Sequence, residues 1–207
     1  VFAEGHGPVK IDHLSGPFGT GTYVLGSALE DISNKHHPWL RITNSESPGA
    51  AYLIKKLTIE RELRKTMFIA NSAITVSFGE KGLPPFDKKY DVNLKLLGTY
   101  FIAPIWLATL DPKIKSIEDL KGKKIGLGRK PQAGWTFIPE AILRDGWEIR
   151  DQVDVQYLGT KPAANALLDG LVDAAVIGGY LNPTTMDIKL SPQTIELIAT
   201  GKKLYHI

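Results

Sequence analysis

Apolar and polar positions along the chain switch between two periods. Val9 to Leu14 is a short run of strand character, and Ser15 to Thr22 is a glycine-rich turn. Leu25, Ala28, Leu29 and Ile32 then recur at i, i+3, i+4 and i+7, the apolar stripe of a helix that Pro38 brings to an end. Trp39 to Thr43 reads as a second strand. Ser47 and Pro48 supply an N-cap and a first-turn proline for a helix through about Arg64, with Ala50, Ile54 and Leu57 on its buried side. Met67 to Ala70 is a third strand, followed by Asn71-Ser72, and Glu80 to Asp91 is loop-like with Gly82, Pro84 and Pro85.

The second half repeats the alternation. Asn93 to Thr109 reads as one or two strands, and Ser116 to Leu120 as a short capped helical turn. Gly122 leads into a strand over Lys123 to Leu127, Arg129 to Gly134 is a loop, and a helix follows from about Trp135 to Arg144 with Pro139 placed near its first turn. Val153 to Leu158 is a strand, and Pro162 to Gly170 is a helix with Ala163, Ala166 and Leu167 as its stripe. Val172 to Ile177 is a strand, followed by a Gly178-Gly179-Tyr180 loop. Leu181 to Ile207 holds a short helix and a strand over Thr194 to Ala199.

Strands alternating with helices predict an α/β protein of mostly parallel, buried strands with flanking helices. The pattern falls into two blocks: a first lobe over residues 1–95, a second over 96–200, and a tail or returning segment over 201–207.

At 207 residues the chain can bury a core without disulfides or a structural metal. The 25 basic and 22 acidic residues leave a net charge of only +3, too small and too evenly spread for a nucleic-acid partner. The absence of cysteine removes thiolate metal sites, cysteine nucleophiles and disulfides together. The longest apolar region, Tyr100 to Leu110, has strand length and is broken by Pro104, short of the roughly 20 residues of a membrane span. The chain opens on Val1 and reads as processed or cut, with any signal peptide removed.

In parallel α/β sheets ligands bind beyond the carboxyl ends of strands, against helix N-termini. Four such strand ends run into polar or glycine-rich loops: Gly19 to Tyr23, Ser45-Glu46-Ser47, Asn71-Ser72, and Arg129 to Gly134; Gly178-Gly179-Tyr180 makes a fifth. Free N–H groups at a helix start favour an anion. Hydroxyls of Thr20, Thr22, Ser45, Ser47 and Ser72 add donors, and Arg129 adds a fork that grips a carboxylate. Glycine and serine at such turns also serve simply as turn and cap residues. Trp135 and Tyr180 suit stacking on a ligand as well as packing.

Enzyme constellations are thin. The third glycine of G-x-G-x-x-G is replaced by Val24, and no phosphate-binding G-x-x-x-x-G-K-[ST] occurs, so no nucleotide cofactor is expected. His36-His37 are adjacent, in a loop before Pro38, and read as a solvated turn rather than metal ligands. His6, His13 and His206 lie near the chain ends. No metal site and no catalytic residue is expected.

The Gly-Thr-Gly-Thr-Tyr loop at Gly19 to Tyr23, the Leu40 to Thr43 strand with its serine loop, and Ser116-Ile-Glu-Asp-Leu-Lys-Gly-Lys-Lys-Ile125 together resemble the TAXI family, the substrate-binding proteins of TRAP transporters. Val155 to Gly159, Ala166 to Gly170 and Val172-Asp173-Ala174 are similar to the family's V-x-Y-L-G and A-L-x-D-G-x-V-D-A runs. The Ser116 to Ile125 run and the L-x-D-G-x-V-D-A run occur across type II periplasmic binding proteins, so they carry the superfamily, and the N-terminal loop carries TAXI.

The resemblance implies two α/β lobes joined by a hinge, closing an interlobe cleft on a small organic anion such as a carboxylate or amino acid. By position it implies ligand contacts from Gly21, Thr22, Tyr23, Ser45, Ser47, Asn71 and Ser72 in the first lobe, and from Arg129, Gln132, Gly134, Trp135, Gly179 and Tyr180 in the second. It also implies an extracytoplasmic monomer delivering its solute to TRAP permease subunits, and a continuing chain that completes the first lobe. Glu46, Asn71 and the bulky basic loop at Arg129 to Trp135 depart from the family pattern and leave the solute open, while the basic loop and Trp135 point to an anion with an apolar or aromatic body. The rival readings are an ABC-type binding protein for a sulfonate, nitrate or pyrimidine, an enzyme on this fold making pyrimidines or menaquinone precursors, and a sensor domain.

Overall fold

The structure, a computed structural model, describes residues 7–99, 101–130, 132–182 and 184–207, with residue 133 described by its backbone alone. Val1, His6, Tyr100, Pro131 and the Ala133 side chain, which fall within the stretches read above, lie outside the described residues. The chain divides into two compact units, Val1–Leu94 and Lys95–Ile207.

The first unit carries a three-stranded sheet in the order β2-β1-β3, with β1 at Val9–Leu14, β2 at Leu40–Ser45 and β3 at Met67–Ile69, all parallel. Its helices are α1 (Gly21–His36), α2 (Ala50–Ile59) and α3 (Ala73–Lys81). α2 buries Ala51, Leu53, Ile54 and Leu57. With α3, its Ala51 and Ile54 enclose Phe86, Tyr90 and Val92 from the segment that follows. Fully burying a side chain of this size contributes about 1.5–3 kcal/mol. His13, on the central strand, is fully buried and stacked on Phe68 with ring centroids 4.4 Å apart.

α1 departs from the expected stripe. Leu25, Ala28 and Ile32 face solvent, and the helix buries Gly21, Gly26 and Ser33 instead. The reason is the free edge of β2, whose outward backbone groups need partners. Asn34 serves both the N–H and the carbonyl of Ile42, each at 3.0 Å, and Glu30 accepts the N–H of Asn44 at 3.2 Å. Asn44 in turn donates to Ser27 and to the Tyr23 carbonyl. A polar helix face thus seals the sheet edge, and Gly26 permits the close approach, since a Cβ there would lie 2.7 Å from His13 Nδ1.

Three further features of this unit differ from expectation. α2 begins on Gly49 (φ 142°) rather than on a Ser47 cap. It ends at Ile59, before a separate 3-10 turn over Arg61–Lys65. α3 occupies part of the stretch that reads as loop, closed by Gly82 in the left-handed region (φ 69°).

The second unit holds a mixed sheet in the order β6-β5-β7-β4-β9, with β8 paired to β7. The strands are β4 (Ile105–Thr109), β5 (Lys124–Leu127), β6 (Asp154–Tyr157), β7 (Ala174–Leu181), β8 (Ile188–Leu190) and β9 (Tyr205–His206). β5 is parallel to β6 and β7, whereas β4 is antiparallel to β7 and β9, and β8 to β7. The expectation of mostly parallel strands therefore holds for the first sheet alone.

Period-two alternation splits the core onto two faces. Leu107, Ile125, Leu127 and Val176 join Leu143 on one side, with Trp135 of α4 (Ala133–Ala141) packed against them. Ala108, Ala175 and Ile177 pack on the other with Ala163, Ala166 and Leu167 of α5 (Thr160–Leu168) and Leu197 of α6 (Pro192–Ala199). Gly126 lets α5 approach, because its Cβ would sit 3.2 Å from that of Ala163.

Four expectations are corrected here. Residues 93–99 form no strand, and the first strand of this unit is β4. Pro139 lies deep inside α4, which begins at residue 133 and passes into a π turn over Ile142–Gly146. β7 runs through Gly178-Gly179-Tyr180, because these residues pair with Ile105 of β4 and with Leu190 and Lys189 of β8. Thr194 to Ala199 is helix, started by Ser191 and Pro192 at its first position.

Candidate functional site

In the first unit the parallel strands deliver their carboxyl ends to one edge of the sheet, and the loops leaving them are laced together. The Ser15 N–H and hydroxyl both donate to the Ser45 carbonyl, at 2.9 and 3.1 Å, and the Ala70 N–H donates to the Leu14 carbonyl at 2.9 Å. This brings Gly21, Thr22 and Tyr23 at the start of α1 to the same edge as Ser45, Ser47, Asn71 and Ser72.

Several of these side chains are already committed. The buried Ser47 hydroxyl donates to the Ser15 carbonyl. Thr22 Oγ1 accepts the Gly16 N–H at 3.2 Å and lies 3.1 Å from the Thr20 hydroxyl. Ser72 caps α3 by accepting the Thr75 N–H at 3.3 Å, and the Asn71 amide donates to the Ala50 carbonyl at 3.0 Å. These groups hold the rim together, so they are not the free donors that residue type alone suggests. Glu46 turns a carboxylate oxygen to the Phe18 N–H. Among the described residues, the hydroxyls of exposed Ser45 and of Tyr23, the latter leaning on Phe18 at 5.0 Å, make no internal bond. The first N–H groups of α1 and α2 have no side-chain cap and no acidic residue in the first turn.

In the second unit the ends of β5, β6 and β7 define the corresponding edge. The Leu158 and Gly159 N–H groups both donate to the Leu127 carbonyl at 3.1 Å, which sets the start of α5 beside the loop leaving β5. A Cβ on Gly159 (φ 103°) would lie 3.3 Å from Arg129 Nε and 3.6 Å from Gln132 Oε1. Arg129 and Gln132 therefore converge on the α5 N-terminus. Gln132 Oε1 accepts the Arg129 N–H at 2.8 Å, and Thr136, fully buried, donates to the Arg129 carbonyl at 2.8 Å. Arg129 is exposed and makes no ion pair among the described residues. Gly134 has open space where a Cβ would stand.

Trp135, Gly179 and Tyr180 do other work. Trp135 packs over Gly178, where a Cβ would meet its ring at 2.8 Å, and it belongs to the core. Gly179 lies within β7 so close to β8 that a Cβ would meet the Lys189 carbonyl at 2.7 Å, and Tyr180 stands edge-on to Phe101 at 4.7 Å.

Behind the Arg129 loop, the Tyr157 hydroxyl donates to Glu140, and Arg150 bonds both, at 3.1 Å to Glu140 and 3.3 Å to Tyr157. Burial first, and the Glu140 carboxylate second, push the Tyr157 phenol above its ordinary value, so it stays a donor. Lys130 sits 5.5 Å from the Tyr157 ring. The cluster ties α4 to β6 beneath the loop that presents Arg129.

Gly159 and Thr160, which residue type alone does not single out, stand at this second edge. The signal was present in the Val155 to Gly159 run, a strand ending on glycine directly before helix-forming residues. Among the described residues no group of three or more His, Asp or Glu is placed to hold a metal ion, and no helix is long and apolar enough to cross a membrane. Each rim by itself offers unclaimed N–H groups, and the second adds a guanidinium; groups of this kind can bind an anion.

Solved structures share this fold. The alkanesulfonate-binding protein SsuA from Xanthomonas axonopodis pv. citri, bound to MOPS, is 15% identical with a TM-score of 0.58, over 98% of this chain and 61% of that one. The periplasmic aliphatic sulphonate binding protein SsuA from Escherichia coli is 16% identical with a TM-score of 0.56, over 98% of this chain and 60% of that one. A putative L-cystine ABC transporter protein from Listeria monocytogenes is 15% identical with a TM-score of 0.55, over 96% and 76%. At these identities the likeness is one of fold, and the chain spans about three fifths of the length of the two sulfonate binders. A family model matches residues 14–203, nearly the whole chain, and on that match the protein belongs to the NMT1-like family.

Proposed function

We propose that this protein is the extracytoplasmic solute receptor of an uptake system of the ABC type, binding a small organic oxyanion of the sulfonate class without transforming it. The observation that carries this reading is the Arg129 guanidinium, unpaired among the described residues, at the uncapped start of α5. A fixed cation beside free helix N–H groups suits an oxyanion.

The TAXI resemblance pointed to a TRAP permease and a carboxylate. An ABC partner and a sulfonate are favoured instead because structures of the same fold include sulfonate binders and an ABC transporter protein for cystine. Calorimetric titration with ethanesulfonate, propionate, glutamate and nitrate tests the reading. Saturable binding is expected for the sulfonate, more weakly for propionate, and preference for glutamate or propionate would restore the carboxylate reading.

A further inference from the structure

Arg129 and the glycine before α5 mark where an anion's charge is balanced, but they do not say which groups hold its oxygens. We infer that the seat of the anionic head is the N-terminus of α5, and that Thr160 and Gln132 are binding residues there. The inference rests on the proposed function and deepens it by assigning the head group to named donors.

Thr160 is the first residue of α5 and only 7% exposed, yet its hydroxyl bonds to no described residue. Gln132 is also only 7% exposed. Its Oε1 is taken by the Arg129 N–H and lies at the Gly159 cap, while its amide NH2 donates to no described residue. Neither polar atom is enclosed, so both remain reachable from solvent at the tips of side chains that are otherwise packed away. Gln132 lies beside the Gly159 cap and Thr160 opens the helix, so a ligand oxygen at this uncapped start gives both open groups an acceptor.

The backbone agrees. The Ala163 N–H bonds the Gly159 carbonyl, Pro162 has no N–H, and those of Thr160 and Lys161 find no acceptor among the described residues. No side chain caps the helix and no acidic residue stands in its first turn. Helix α3, by contrast, carries its own cap in Ser72 and offers no such seat. Donors therefore come from the Thr160 and Lys161 N–H groups, the Thr160 hydroxyl, the Gln132 amide and the Arg129 guanidinium. The site is kept open by Gly159, whose positive φ and lack of a Cβ leave room beside Arg129 Nε.

The test uses the full 207-residue chain, uniformly labelled with nitrogen-15 and titrated with methanesulfonate and with inorganic sulfate. Saturable shifts are expected first at the Thr160 and Lys161 amides and the Gln132 side-chain NH2. Thr160→Val should weaken binding roughly tenfold at unchanged melting temperature, and Thr160→Ser should restore it. Shifts confined to Gly21 to Tyr23, or wild-type affinity in Thr160→Val, would overturn this seat while leaving anion binding standing. A spectrum unmoved by either anion would overturn both the seat and the proposed function.

Discussion

The Gly128 N–H donates to the Trp135 carbonyl at 2.9 Å. Within α4 that carbonyl would ordinarily accept from residue 139, but Pro139 has no N–H to give. The last residues of the β5 exit thus satisfy the acceptor that the proline frees, and the loop carrying Arg129 and Gln132 is closed at its base. Gly128→Ala would place a Cβ 2.5 Å from the Trp135 Cβ. The expected result is a loss of about 1–3 kcal/mol in denaturant unfolding of the second unit, together with weaker anion binding.

Arg129 is exposed and has no internal ion pair among the described residues, so its removal should leave stability unchanged. Arg129→Ala should nevertheless cost about 2 kcal/mol of anion affinity, roughly thirtyfold in Kd. Calorimetry beside a melting curve checks both halves. Unaltered affinity would remove Arg129 from the site.

Ser72→Ala separates cap from contact. The side chain caps α3, so the substitution should lower stability by about 1 kcal/mol and leave anion affinity within twofold. A large loss of affinity at unchanged stability would return Ser72 to the ligand.

His13 gives the fold a pH dependence. Burial lowers its pKa below the ordinary histidine value, with the neighbouring Asn44 side chain opposing in part. The unfolded chain then binds the proton more readily than the folded one, so stability is full above about pH 6.5 and falls as pH drops below it. For one proton the slope reaches at most about 1.4 kcal/mol per pH unit. Denaturation of the wild type between pH 7 and 5, compared with His13→Gln, checks it. The variant should lose that part of the slope.

Much of this architecture was legible because burial imposes its period on the strands. β1, β2, β5 and β6 lie where apolar runs place them, and Ala163, Ala166 and Leu167 are the buried stripe of α5. The misreadings have physical causes. The apolar residues of α1 suggested its buried face, but the unpaired edge of β2 demanded Asn34 and Glu30 instead. Thr194 to Ala199 is β-branched enough to look like strand, while Ser191-Pro192 carried the helix start. Gly178 and Gly179 read as a turn, although their missing side chains are what let β7 lie between β4 and β8. At the site, residue type located the strand ends but could not tell a spent hydroxyl, such as that of Ser47, from an open one, such as that of Thr160.

Calorimetry of the purified chain with ethanesulfonate, followed by recovery of the ligand, reaches the central claim most directly. One equivalent bound per chain and returned chemically intact is the expected result. A flat titration across sulfonates and carboxylates, or a recovered ligand that has been converted, would contradict it.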